Sequence, residues 1–254
     1  MPNLDSHHFS IRLASTEAEK RAAHRLRYDV FVAELGGDGE LVDHTNQLEH
    51  DRFDPFFDNL ILIDEKKGNV VGLYRLLDAE QAKMAGQFYS EDEYDLNVLK
   101  ASGRRLLELG RSCLHKDYRG GMAMFHLWNG LASYIKENDI EILFGVASFH
   151  GTNPKSLAHP LSFLHQKHLA PRDLRVRARE SHFTNMDIVP PEKLDRRRAA
   201  RETPALIKAY LRLGGYVGDG AFVDLAFNTT DVCLVMDTAR MNQKQAALYR
   251  KAQI

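Results

Sequence analysis

The stretch Arg105-Leu-Leu-Glu-Leu-Gly-Arg-Ser-Cys-Leu114, continuing through His115-Lys-Asp-Tyr-Arg-Gly-Gly121, decides the fold class. Its first part has the apolar content of a strand. After the glycine pair, Met122, Phe125, Trp128, Leu131, Ala132 and Ile135 recur at helical spacing. The near-continuous apolar run from Ile140 to Ala147 then reads as a central strand, parallel to the first through the helical crossover. An α/β architecture follows, with a mixed central sheet flanked by helices. Arg119, Gly120 and Gly121 fall where the first unpaired amides of the crossover helix point outward, a place suited to an anion. Glycine there lets a phosphate approach the backbone, although a plain strand-to-helix turn has the same spacing.

With 254 residues, 44% hydrophobic and 27% charged, the chain has material for a large core and is read as one domain, 1–254. Its 34 basic and 35 acidic residues leave a net charge of -1, so no global polycation is available for nucleic acid. Cys113 and Cys233 lack metal or redox spacing, which points to a reduced, cytoplasmic compartment. The start lacks the pattern of a signal peptide, and no 18 apolar residues run together.

Outward from the central stretch, residues 9 to 14 predict a first strand. Ser15-Thr16-Glu-Ala-Glu19 predicts a capped helix to about Ala33, with Ala22, Leu26, Val30 and Ala33 inward and Arg27 and Phe31 on one face. The loop from Glu34 to Pro55 holds Glu49, Asp51 and Asp54, read either as a solvated acidic run or as a cluster that receives an amino group. A hairpin follows, Asn59 to Ile63 and Val70 to Leu77. Its Arg75, inside an apolar strand, needs a partner that the acidic loop can supply. Residues 79 to 103 are a connection anchored by Phe88, Tyr89, Tyr94 and Leu96, with no chemistry assigned. Strict alternation puts Glu108 and Arg111 on opposite faces, and a bulge at Gly110 would bring them to one site. Cys113 is read as a packing residue.

Further on, Ser148 and His150 end the central strand where ligands sit in parallel units. His159, His165 and His168 lack metal spacing, and no metal site is assigned. Residues 171 to 201 hold nine basic against five acidic residues and read as a basic insertion facing an acidic partner. Pro204 opens a last helix. Strands at Ala221 to Phe227 and Val232 to Asp237, with a turn at Asn228 to Asp231, precede a short polar helix from Met241.

These residues carry a resemblance to the acyl-CoA N-acyltransferase (GNAT) superfamily, and the fold class is accordingly GNAT-like. Arg27, Phe31, Glu49-x-Asp51-x-x-Asp54, Arg75 and Glu108-x-x-Arg111 resemble the pattern of acyl-homoserine-lactone synthases. A longer likeness, over roughly residues 20 to 240, is to ornithine Nα-acyltransferases of ornithine-lipid synthesis. It includes Leu107-Glu-Leu-Gly-Arg-Ser-Cys113, Asp117-Tyr-Arg119, Tyr210-Leu-Arg-Leu-Gly-Gly215, and Gly218-Asp-Gly-Ala-Phe-x-Asp224 with Phe227-Asn-Thr-x-Asp231. The basic stretch at 171 to 201 separates the chain from the lactone synthases, and Met122 to Phe125 depart from the superfamily's glycine-rich loop.

The resemblance implies transfer of a 3-hydroxyacyl chain from acyl carrier protein to the α-amino group of ornithine, giving lyso-ornithine lipid by direct attack without an acyl-enzyme. Glu108 is then the expected base, with Arg111 beside it and amides near Leu109 to Arg111 steadying the oxyanion. Glu49, Asp51, Asp54, Arg75, Arg27 and Phe31 form the acceptor side. The carboxylates either orient the acceptor or hold the arginines. Leu114, Arg119, Gly120, Gly121, Met122 and Ser148 form the donor side. No cofactor is expected beyond the acyl-phosphopantetheine of the carrier, which enters as co-substrate. The partners are acyl carrier protein, the amino acid and an anionic membrane met peripherally at its inner face. The competing readings are a synthase of other N-acyl amino acids or of acyl-homoserine lactones, and a noncatalytic carrier-binding module.

Overall fold

The computed structural model describes residues 8–242. In chain order its first elements are β1 (Phe9–Leu13), α1 (Glu17–Arg27), a π-helix (Tyr28–Glu34), β2 (Asp58–Asp64) and β3 (Asn69–Asp78). Next come α2 (Ala79–Ala85), a 3-10 turn (Tyr89–Asp92), β4 (Tyr94–Asp95), α3 (Asn97–Lys100), β5 (Leu106–Leu114) and α4 (Ala123–Glu137). The remainder is β6 (Ile142–His150), α5 (Ala158–His168), β7 (Arg177–Ala178), β8 (Phe183–Thr184), α6 (Arg196–Glu202), α7 (Ala205–Arg212), β9 (Tyr216–Val217), β10 (Ala221–Asp224) and β11 (Thr229–Asp237). The class is mixed α/β, with mostly antiparallel strand pairs flanked by helices. The helix expected from Met241 lies outside the described residues.

Two compact units make up this chain: residues 8–77 with 109–139, and residues 78–108 with 140–242. In the first unit the strand order is β1, β2, β3 and the part of β5 from Leu109. Thr16 caps α1 through the expected box: its hydroxyl accepts from Glu19 N at 3.2 Å and the Glu19 carboxylate accepts from Thr16 N at 3.2 Å. Ala23, Leu26 and Val30 pack on Ile61, Ile63, Leu73 and Cys113. Beyond Arg27 the helix widens into π turns, and Leu35 N donates to Val30 O across five residues. The wider turn changes the phase of the buried face, so Val32 is buried and Ala33 exposed, contrary to the α-helical expectation.

Helix α4 packs on β1 and β2, and it also departs from the expected phase. It begins at Ala123 with Met122 as an exposed N-cap, and its buried residues are Ala123, Leu127, Trp128 and Leu131. The free amides of its first turn therefore belong to residues after Met122 and not to Arg119, Gly120 and Gly121. The inward face includes Gly130, where a Cβ would lie 2.3 Å from Ile11 Cδ1 on β1.

In the second unit Leu106, Leu107 and Glu108 of β5 pair in parallel with Ile142, Leu143 and Phe144 of β6. From there the order is β6, β11, β10 and β8, with β9 also on β11. β10 and β11 turn at Asn228, φ +52°, with Asp224 opposite Thr229. The turn thus precedes the expected position because Asp224 caps it, its Oδ1 accepting from Ala226 N and Phe227 N. The basic stretch is built into this unit, since it supplies β7, β8 and α6. Arg177 pairs with Asp219 and Glu180, Arg179 donates to Glu91 O, and Arg198 pairs with Glu202.

The signature glycine Gly220 combines φ +78° with a close neighbour: a Cβ there would sit 2.2 Å from Phe183 Cε2 on β8. Its carbonyl, with that of Asp231, accepts from the buried Tyr94 hydroxyl at 3.1 and 2.9 Å. Gly220→Ala should therefore cost about 1–3 kcal/mol in urea unfolding through overpacking and left-handed strain together. Gly36→Ala is the control, with φ +72° and open space around it, and should lose less. Equal losses in the two variants would remove Phe183 from the explanation.

Candidate functional site

The first unit encloses a network of three arginines and three carboxylates drawn from four parts of the chain. Arg27, at the end of α1, is fully buried. Its Nε donates to Glu49, and its NH1 and NH2 fork onto Asp54, the latter at 3.1 Å. Arg75, fully buried on β3, reaches Asp51 Oδ2 at 2.6 Å and Asp54 Oδ1 at 3.1 Å, and its Cζ lies 4.0 Å from the centre of the Phe57 ring. Arg111 on β5 meets Glu49 Oε1 at 3.1 Å and Asp51 Oδ2 at 3.3 Å, with the Phe31 ring 5.9 Å from its Cζ. The loop is pinned locally as well: Asp51 N donates to Asp54 Oδ2 at 2.8 Å, and Glu49 N to His24 O at 3.2 Å.

The bulge expected at Gly110 takes a different form. Arg111 itself adopts φ +48°, a region that costs a non-glycine residue about 1–3 kcal/mol, and the guanidinium meets its carboxylate partners in that conformation. Gly110 faces Arg75, whose Nε a Cβ would approach to 3.7 Å. Electrostatics agree with the geometry. Burial would raise the Glu49 carboxyl, but Arg111 and Arg27 outweigh it and hold it at about 2. The same contest, with Arg27 and Arg75 opposing burial, keeps Asp54 well below the usual carboxylate range. The three acids are thus not a solvated run: arginines hold Glu49 and Asp54 in the interior, while Asp51, though paired, stays at the accessible edge beside Arg111.

Glu108 lies in the second unit, 1% exposed. Tyr89 N and Ser90 N each donate to its carboxylate at 2.7 Å, and the Ser90 hydroxyl donates to it too. It therefore anchors the 3-10 turn in the connection to which the sequence reading assigned no chemistry. The signal was present only as a glutamate flanked by two leucines. Ser148, exposed on β6, stands opposite Asp231 of β11.

On the donor side, Leu114 O accepts from Arg119 Nε at 3.1 Å, Gly120 adopts φ +77°, and Gly121 is exposed beside Met122. Cys113 is buried, and burial pushes its thiol up to about 12, away from nucleophilic chemistry.

Two histidines absent from the sequence reading border the network. His24 and His50 stack edge to face with centroids 4.2 Å apart, and His24 Nε2 lies 3.7 Å from Asp54 Oδ1. With Asp54 they have a metal-ligating composition, but both Asp54 oxygens are committed to arginine. A second group, Glu93, Asp224 and Asp231, is purely acidic.

Comparison with known proteins bears on the fold and the family. The family model of the acetyltransferase (GNAT) domain matches residues 26–129, which include the whole arginine–carboxylate network and the loop after β5. Solved structures with similar folds are BjaI, a coenzyme A-dependent acyl-homoserine lactone synthase, and FeeM, an N-acyl amino acid synthase from uncultured soil microbes. BjaI matches with TM-score 0.53 at 16% identity over 95% of this chain and 88% of its own, and FeeM with 0.52 at 13% over 92% and 93%. The family model and the shared fold mark a chain of the GNAT class. The chain is 58% identical to the L-ornithine N(alpha)-acyltransferase of Rhodobacter capsulatus over 96% of its length and 95% of the relative's. It is 41% identical to that of Brucella abortus over 94% and 88%. It belongs to the L-ornithine N(alpha)-acyltransferase family.

Two measurements test the site's energetics. Glu108→Gln should lose about 1–3 kcal/mol of stability, because an amide NH2 would face the backbone donors of Tyr89 or Ser90. An unchanged denaturation midpoint would mean that those contacts are not structural.

The second measurement is stability against pH. Burial lowers His24 from 6.5 to about 4, so the unfolded chain takes up that proton first and stability declines as pH falls between those values. Glu49, lowered from 4.5 to about 2, contributes stability present above 4.5 that is lost as pH falls towards 2. Urea midpoints should therefore decline in two stages, and His24→Gln should shrink the upper one, to which His126 and His168, also lowered by burial, contribute the remainder. A flat profile down to pH 3 would contradict both assignments.

Proposed function

We propose that this protein moves an acyl chain, 3-hydroxyacyl in its natural donor, from the thioester of acyl carrier protein to the α-amino group of ornithine, yielding lyso-ornithine lipid. The observation that carries the reading is 58% identity, across nearly the whole chain, to an enzyme named L-ornithine N(alpha)-acyltransferase. The acceptor ammonium loses a proton to water, and its nitrogen attacks the thioester carbonyl. The tetrahedral intermediate collapses to an amide as its C–S bond breaks and its nitrogen gives up a second proton, through water, to the departing carrier thiolate. No acyl-enzyme forms, in keeping with the deep burial of both cysteines. No cofactor is required, because the phosphopantetheine arm arrives with the substrate.

The partly exposed edge of the network supports recognition of an amino acid. Arg111 and Asp51, 12% and 17% exposed, offer one cation and one anion side by side, the complement of a carboxylate and an ammonium. Glu108 serves this reaction by holding Ser90 and its turn, and not as a free base. The exposed arginines of α6, Arg196, Arg197 and Arg201, would meet the acidic carrier or the anionic inner face of the membrane that receives the product. No helix among the described residues is long and apolar enough to cross a bilayer.

Purified protein given 3-hydroxyacyl carrier protein and a panel of amino acids should release free carrier thiol and form chiefly the ornithine amide, identified by mass spectrometry. Preference for another amino acid would transfer the assignment to that acceptor. Absence of any amide would leave only carrier binding.

A further inference from the structure

If the protein takes its acyl chain from a carrier as proposed, Arg119, placed on the donor side by the sequence, should meet the phosphate of the pantetheine arm, yet its guanidinium is committed elsewhere. Nε donates to Leu114 O at 3.1 Å, while NH1 and NH2 fork onto the two oxygens of Glu34, the latter at 2.8 Å. Glu34 is the last residue of the π-helix. Within seven residues this segment follows Arg27 of the buried network, sets Phe31 beside Arg111, and ends on Arg119. π turns are uncommon, and they cluster where a helix serves a site.

The pair is open to exchange. Arg119 and Glu34 are 40% and 38% exposed, so an incoming anion can reach the fork. The phosphodiester of the arm carries a full negative charge on two non-bridging oxygens, so it suits the same bidentate geometry as the carboxylate it replaces. Exposed ion pairs contribute little net free energy, so the carboxylate is readily displaced. Behind Arg119, the first turn of α4 has no side-chain cap, since Met122 offers no acceptor. Leu35 and Met122, exposed by about half, follow the two partners closely in sequence.

We propose that Glu34 is a positioning residue that occupies Arg119 in the donor-free protein, and that the phosphate of the acyl donor displaces it and frees the end of the π-helix. The sign of the effect separates this role from a structural one. Damage to the fold weakens binding, whereas removal of a competitor tightens it.

The test uses the full chain and free 4′-phosphopantetheine as probe, measured by calorimetry. Glu34→Gln should tighten the probe about three- to fivefold, the scale set by loss of an exposed ion pair. Arg119→Ala should weaken it, and the double variant Glu34→Gln/Arg119→Ala should match Arg119→Ala alone. In acyl transfer the gain should fall on KM for the carrier-bound donor and not on KM for ornithine. If the parent binds the probe and Glu34→Gln does not tighten it, or if the gain persists without Arg119, the role of Glu34 is refuted alone. If the parent fails to bind the probe while still acylating ornithine from the carrier, the phosphate assignment of Arg119 falls with it and the acyltransferase reading stands.

Discussion

Burying a guanidinium is costly unless carboxylates are brought to it, and this requirement governs the first unit. Arg27 and Arg75 have no exposed side-chain surface, so Glu49, Asp51 and Asp54 must be delivered to them from a loop that has little regular structure of its own. The loop is accordingly held by its partners. Glu49 reaches both Arg27 and Arg111, Asp54 both Arg27 and Arg75, and Asp51 both Arg75 and Arg111. Each carboxylate is shared, so loss of one leaves two cations short of charge. Such coupling favours a single arrangement of α1, β3, β5 and the loop over looser alternatives.

Local departures from regular geometry accompany the same network. Arg111 stands at positive φ within a strand, and α1 passes into π turns immediately after Arg27. Both are unfavourable by themselves, and both stand next to an arginine held in the network, Arg111 in the first case and Arg27 in the second. Under the proposed function, the acceptor side would have its charges set before substrate arrives, with Arg111 and Asp51 at its accessible edge. Preset charge of this kind needs no reorganisation when a zwitterionic substrate binds.

The second unit uses a different device for buried polarity. Glu108 is met by two backbone amides and a hydroxyl, and Tyr94 donates to two carbonyls, so polar groups there are satisfied by backbone and not by opposite charge. This explains why a glutamate in the family pattern can hold a turn. It also explains why Gly220 is needed: its carbonyl serves Tyr94 while the Phe183 ring takes the space of a side chain.

The sequence by itself determined the strand, turn and helix around Leu106 to Glu137, the hairpin of β2 and β3, the capped α1 and the parallel neighbour β6. These follow from periodicity and caps, which act between residues close in the chain. It also singled out Arg27, Glu49, Asp51, Asp54, Arg75 and Arg111, because charges amid apolar residues require partners. Only the tertiary structure decided which charge meets which, that Glu108 is closed over by Tyr89 and Ser90, that Glu34 occupies Arg119, and that Arg175, Arg177, Arg179 and Arg198 in the basic stretch bond within the fold. It also took the free first-turn amides of α4 away from Arg119, Gly120 and Gly121 and set the β10–β11 turn ahead of its expected place. Pairings such as Arg27 with Glu49, Arg119 with Glu34 and Arg177 with Asp219 join residues tens of positions apart, and their geometry depends on side-chain direction and burial, which no local pattern of apolar and polar residues encodes.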